Sequence, residues 1–161
     1  GACLTLGYFA NQKATQESFN GQGWFLSGDL GSVDARGNLI VEGRLKDLII
    51  RGGHNIYPSH IEALAMRHPA IEKAAAFPIA DERLGERVCL AIIGDVDGHL
   101  VLEHLGSEGL SKYDMPEYFL KLREFPLTAS GKILKRGLVE MAERGDLEPA
   151  LICYKSTGGN A

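Results

Sequence analysis

The sequence predicts an α+β fold: a small domain with a short mixed or antiparallel sheet flanked by helices, preceded by a β-hairpin. Three observations predict it. Two apolar, β-rich runs, 71–79 and 87–96, are separated only by a polar loop over 80–86. Three other segments, 58–67, 101–110 and 133–144, space their apolar residues as helices do. Turn residues cluster at Gly28-Asp29-Leu30-Gly31 and Asp34-Ala35-Arg36-Gly37, between two shorter strand-like runs. Strands and helices in this alternation pack as helices on a sheet.

Residues 1–23 are rich in Gly, Asn, Gln and Thr and show little periodicity beyond a short helix near 13–19. Such a stretch is expected to need a neighbour to pack against. The run from Trp24 to Val33 turns at Asp34 into a second run over 38–42, which reads as a hairpin. Gly43-Arg44-Leu45-Lys46-Asp47 is then a charged break between two apolar runs, Leu39-Ile40-Val41 and Leu48-Ile49-Ile50. A chain can bend there without opening a core, so this is the expected domain boundary. It divides the sequence into 1–45, 46–150 and a flexible tail at 151–161.

Beyond the boundary come a strand over 47–51, the glycine turn Gly52-Gly53 and a helix over 58–67. Pro58 suits a first helical turn, Ile61, Leu64 and Ala65 share a face, and His68-Pro69 ends the helix. The two β-rich runs follow, then a helix carrying Val101, Leu102, Leu105 and Leu110, and a strand over 118–122. A tight turn with Lys132 leads into the last helix. Beyond Pro149 the chain is expected to fray.

Composition excludes several classes. With 161 residues, 45% of them hydrophobic, the chain can bury one real core, and two small domains are the upper limit. A formal charge of -4 with dispersed cations offers no basic field for nucleic acid. No apolar run approaches the roughly 20 residues needed to cross a bilayer, and no secretory leader is recognisable, so a cytoplasmic location is expected. Cys3, Cys89 and Cys153 lack CxxC or His-linked spacing, which argues against both a disulfide framework and a bound metal. Neither GxGxxG nor GxxxxGK[ST] occurs. The absence of an initiator methionine suggests a piece of something larger.

Three segments carry chemistry. In GWFLSGDLG, Asp29 stands at a strand end between glycines, where a carboxylate can approach a ligand and accept hydrogen bonds from paired hydroxyls such as a ribose diol. A plain turn aspartate would read the same way. In GRLKDLIIRGGHNIYPSHIE, Arg44 offers a planar fork for phosphate or ribose oxygens, Lys46 sits at the bend, and Gly52-Gly53 lets backbone pass close to a slender ligand. In PLTASGKILKR, Lys132 follows a Ser-Gly pair, which leaves its tip free to meet an anionic group. Each alone also fits an ordinary surface turn or salt-bridge cluster.

Together, in this order and spacing, these segments closely resemble the adenylate-forming superfamily: acyl-CoA synthetases, peptide-synthetase adenylation domains and firefly-type luciferases. The matching family patterns are GWFxTGDLG, GRxKDxIxxxGxNIxPxEIE and LPxTxSGKIxK. HPAIEKAAAFPIADERLGERVCLAII is similar to a further family stretch, so the resemblance covers nearly the whole chain.

The resemblance implies that Asp29 binds the adenylate ribose and that Arg44 supports ribose and phosphate. Lys46 is then the hinge, Gly52 and Gly53 line the pantetheine tunnel, and Lys132 is the catalytic lysine of acyl-adenylate formation. It implies ATP, Mg2+ and CoA, a small carboxylic acid as substrate, and a longer N-terminal domain as partner, with Mg2+ held together with that domain. The activity expected is an AMP-forming carboxylate–CoA ligase whose small domain rotates between two half-reactions, a chemistry of fatty-acid metabolism. A rival reading is a non-catalytic binding or regulatory module that kept the fold; luciferase-like and peptide-synthetase chemistry are others.

Two departures stand out. Ser27 replaces Thr, and His60 stands where the family has Glu. Residues 1–23 resemble neither a phosphate loop nor an acyl pocket, so the chain alone is expected to be inactive.

Overall fold

Two long strands with unbroken runs of buried residues organise the centre of the chain. A computed structural model describes residues 4–154, and the chain divides after Lys46 into two units, Gly1–Lys46 and Asp47–Ala161.

In the first unit, α1 (Gln12–Glu17) starts where the Asn11 side chain accepts the Ala14 N–H at 3.0 Å. Strands β1 (Asp29–Val33) and β2 (Leu39–Arg44) form an antiparallel hairpin. Asp34 closes its turn, accepting from the backbone of Arg36 and Asn38, both at 2.8 Å, and Gly37 supplies the positive φ of 82°. None of this unit's described residues is buried, and Leu6, Phe9 and Trp24 are largely exposed.

The second unit contains β3 (Ile49–Arg51), β4 (His54–Ile56), α2 (Pro58–Ala65), β5 (Ile71–Asp81), β6 (Gly85–Gly94), α3 (Gly98–Ser107), β7 (Tyr118–Lys121), α4 (Lys135–Glu143) and β8 (Ala150–Leu151). Its sheet runs β4-β3-β6-β7-β8, with β5 paired along β6. All pairings are antiparallel except β6–β7, whose parallel register needs the crossover that α3 provides. Ala74, Ala76, Val88, Leu90 and Ile92 point to one face, against Ile61 and Leu64 of α2 and Val101, Leu102 and Leu105 of α3. Ala75, Phe77, Cys89 and Ala91 point to the other, with Leu120 of β7 and Phe125 and against Leu138 of α4. A strand alternates its side chains between faces, so two strands apolar on both faces become the middle layer of three. The α+β class expected from sequence is the class observed.

Three details differ from expectation. β4 was not anticipated, since only Ile56 in it is both apolar and buried, and it exists because Arg51–His54 and Ile49–Ile56 pair across the glycine turn. The loop over 80–86 shrinks to 82–84: Asp81 accepts from Arg83 N–H at 3.1 Å and Leu84 N–H at 2.8 Å, which lets both strands run almost to the turn. The tail does not fray at Pro149. Ala150 and Leu151 pair with β7, and Ile152 is buried with its N–H on Glu117 O at 2.8 Å. Cys3 and the rest of the expected tail, 155–161, lie outside the described residues.

Candidate functional site

The sequence-predicted residues fall into three local arrangements. In the first unit, Gly28 adopts φ 72°, a conformation that favours glycine, and turns the chain into β1 at Asp29. The Asp29 N–H donates to Ser27 Oγ at 3.1 Å, so the hydroxyl that replaces the family threonine is in use. Asp29 and Arg44 are register partners of β1 and β2, and Arg44 Nε donates to Asp29 Oδ1 at 3.1 Å. Both side chains keep solvent access, 38% for Asp29 and 52% for Arg44, leaving carboxylate and guanidinium edges free for a ligand. Lys46 is exposed in a short 3-10 turn, Leu45–Asp47, at the passage between the two units.

The second arrangement is the β3–β4 hairpin. Gly52 and Gly53 have φ of 57° and 85°, and no neighbour lies within 4 Å of where a Gly53 Cβ would stand. Backbone is thus presented bare, as a narrow ligand channel requires. The hairpin is held by residues that the sequence reading passed over. Gly52 N–H donates to Leu84 O at 2.7 Å, and Ile50 N–H donates to Glu86 Oε2 at 2.7 Å. Arg51 Nη1 donates to Glu117 Oε1 at 2.6 Å, and its Nη2 donates to Tyr113 O. Glu117 Oε2 in turn accepts from Val88 N–H at 3.1 Å. His54 Nε2 lies 2.7 Å from Asp114 Oδ1. Loop 111–117 is therefore tied to the glycine hairpin by side chains some 60 positions apart, a connection without a local sequence signal.

The third arrangement is the Lys132 turn. Thr128 N–H donates to Lys132 O at 2.8 Å, Lys132 N–H donates to Thr128 Oγ1 at 3.1 Å, and Gly131 takes φ 79°. Leu127 and Ile133 bridge its base, and Leu134 N–H donates to Pro126 O at 2.7 Å. Lys132 is exposed, and none of the described carboxylates pairs with it. No described hydrogen bond or ion pair links this turn to Gly52-Gly53, so the two are separate features of one unit.

Three residues further on, Lys135 Nζ lies 2.7 Å from Glu62 Oε1, which also accepts the Ala76 N–H at 2.7 Å. Burial raises the Glu62 carboxyl above its ordinary value, opposed by the Lys135 charge and by these hydrogen bonds. Only the placement of Glu62 had a signal in the sequence, beside Ile61 on the side of α2 that faces the sheet; nothing there marks Lys135 as its partner. Among the described residues no group of three or more His, Cys, Asp or Glu side chains could hold a metal ion.

Residues 60–132 match the model of the AMP-binding enzyme C-terminal domain family, a span that ends on Lys132. The chain is 38% identical over 147 residues to the mitochondrial medium-chain acyl-CoA ligase ACSF2 of Danio rerio, covering 89% of this chain and 24% of that protein. Residues 60–132 belong to the AMP-binding enzyme C-terminal domain family.

The medium-chain fatty-acid–CoA ligase of Escherichia coli K12 is 36% identical over 140 residues, 84% of this chain and 25% of the ligase. Among solved structures, o-succinylbenzoate CoA synthetase from Bacillus subtilis, in complex with the acyl-adenylate intermediate, superposes with a TM-score of 0.79 at 34% identity. That match covers 86% of this chain and 28% of the synthetase. ATP-bound MatB from Rhodopseudomonas palustris gives 0.75 at 32% identity, with 86% and 28% covered. The chain thus spans about a quarter of the length of the proteins it matches, and residues 60–132 of it are an AMP-binding enzyme C-terminal domain.

Proposed function

We propose that this chain is the C-terminal portion of an ATP-dependent, AMP-forming carboxylate–CoA ligase, in which residues 46–150 form the mobile lid and 1–45 the end of the adenylate-binding domain. One observation carries the reading: Lys132 stands exposed, without a carboxylate partner among the described residues, on a turn whose backbone is held by its own Thr128. A cation held out in this way is available to an anion supplied from outside the unit.

In the proposed reaction a carboxylate attacks the α-phosphate of ATP, the acyl–adenylate bond forms and pyrophosphate leaves. Negative charge builds on the phosphoryl oxygens, and Lys132 stabilises it electrostatically. Asp29 accepts from the ribose hydroxyls while Arg44, already bonded to Asp29, holds that carboxylate in place and faces the phosphate. The CoA thiol then attacks the acyl carbonyl, the thioester forms and AMP leaves. For that step the bare backbone of Gly52-Gly53 replaces the lysine beside the reacting centre, by rotation about Lys46. Mg2+ would neutralise phosphate charge from a site in the remainder of the protein.

The names of the vertebrate and bacterial relatives support a medium-chain fatty acid as substrate class. A cytoplasmic location stays part of the proposal, although the vertebrate relatives are named mitochondrial; fractionation of the source cells decides between the compartments. The central test is carboxylate-dependent pyrophosphate release by the full-length protein, screened across chain lengths. Lys132→Ala is expected to suppress adenylation far more than thioester formation from a supplied acyl-adenylate. Equal loss in both steps would refute its role.

A further inference from the structure

We propose that Glu62 and Lys135 are positioning residues which orient the Lys132 turn, an inference that rests on the adenylation role given to Lys132 above.

Helix α4 starts badly by its own sequence. Its N-cap is Leu134, no side chain caps the first turn, and no acidic residue lies there, while Lys135 and Arg136 place two cations at the positive end of the helix dipole. A carboxylate must come from elsewhere to offset them. Glu62 of α2 supplies it, with Oε1 2.7 Å from Lys135 Nζ and both side chains mostly buried, at 20% and 23% exposure. The same oxygen accepts the Ala76 N–H of β5 at 2.7 Å, on a strand that pairs only with β6. One carboxylate thereby joins α2, the edge of the sheet and the start of α4. Burial disfavours its charge, so removing Lys135 would leave a poorly solvated anion rather than a free one.

The Lys132 turn has little else to direct it. Among the described residues, the hydrogen bonds of Thr128, Ser130, Gly131 and Lys132 all stay inside the turn. Its orientation is inherited from its base, where Phe125, Ile133 and Leu138 pack in the apolar layer beside β5 and β6. Apolar packing is weakly directional, whereas an ion pair that also engages a backbone N–H fixes distance and angle. Lys135 opens α4 three residues after Lys132, so a loosened first turn of α4 displaces the base of the Lys132 turn and with it the catalytic ammonium. A displacement of about 1 Å can cost on the order of 100-fold in rate.

The test uses the full-length enzyme with Glu62→Gln, Lys135→Met and Lys135→Arg, and with Lys132→Ala as the reference. Expected for Glu62→Gln and Lys135→Met is a fall of about 10- to 100-fold in kcat of carboxylate-dependent ATP–pyrophosphate exchange. The KM for ATP and thioester formation from supplied acyl-adenylate should change by no more than about threefold. Lys135→Arg should recover most of the exchange rate, and amide hydrogen exchange over 128–134 should quicken in Lys135→Met but not in Lys135→Arg. Equal losses in both half-reactions would mark a merely structural pair and overturn the proposal. So would normal exchange in Glu62→Gln and Lys135→Met while Lys132→Ala abolishes it. Normal exchange in Lys132→Ala would instead remove the adenylation role itself, and this proposal with it.

Discussion

Arg44 Nε donates to Asp29 Oδ1 at 3.1 Å from the directly opposite position of the β1–β2 ladder, so the hairpin register itself fixes the pair. An exposed ion pair of this kind contributes about 0–1 kcal/mol to stability. Asp29→Asn and Arg44→Ala should therefore shift the unfolding midpoint of the full-length protein little, yet weaken nucleotide binding. In a double-mutant cycle on ATP affinity the two changes should be non-additive, because each removes the setting of the other. Additive losses would show that the two residues contact the nucleotide independently.

Gly53 tests the other half-reaction. Its φ of 85° lies where side chains are strained by about 1–2 kcal/mol, and Gly52 at 57° is further crowded by the Leu84 side chain, 3.3 Å from the place of a Cβ. Gly53→Val should leave pyrophosphate exchange close to normal and slow thioester formation from acyl-adenylate. That is the reverse of the Lys132→Ala pattern. A single assay pair on both variants checks the crossover.

Leu138 is the one fully buried residue of α4 and packs against the layer containing Phe77 and Cys89. Leu138→Ala should cost about 2–5 kcal/mol, read as a lower urea midpoint with little change in slope. A loss below about 1 kcal/mol would mean that α4 is not anchored as described.

Two carboxylates should pull the acid limb of stability in opposite directions. The Leu84 N–H, then Arg87 and the Arg83 N–H, hold the Asp81 carboxyl below its ordinary value against a smaller effect of burial. Its stabilising contribution is complete above the ordinary aspartate value near 3.8 and disappears as pH falls through the depressed folded value. Glu62 is raised, chiefly by burial, so the folded chain takes up that proton first. Its contribution to stability grows as pH falls from the raised value toward the ordinary 4.5. Urea midpoints across this acid range should fall less steeply in Asp81→Asn and more steeply in Glu62→Gln than in the parent. Parallel curves would refute both assignments.

Much of the fold was legible from local pattern. The runs carrying Ala74–Phe77 and Val88–Ile92 are apolar at every position, which marks strands covered on both faces. Ile61, Leu64 and Ala65 recur at helical spacing, and Pro58 marks the start of their helix. The ingredients of the candidate site, Asp29, Arg44, Lys46, Gly52, Gly53 and Lys132, were legible as types in a recognisable order. Strands β4 and β8 were not, because each is two or three residues long and exists only through a partner distant in the chain or across a turn.

By itself, then, the sequence determined the α+β class and the family to which the motifs belong, since both depend on periodicity and short-range spacing. Tertiary structure alone decided what holds the reactive turns. Glu62 meets Lys135 across 73 positions, Arg51 meets Glu117 across 66, and His54 meets Asp114 across 60. The physical reason is that a charge selects its partner by distance and desolvation after the chain has folded, and neither quantity has a period that can be read along the chain.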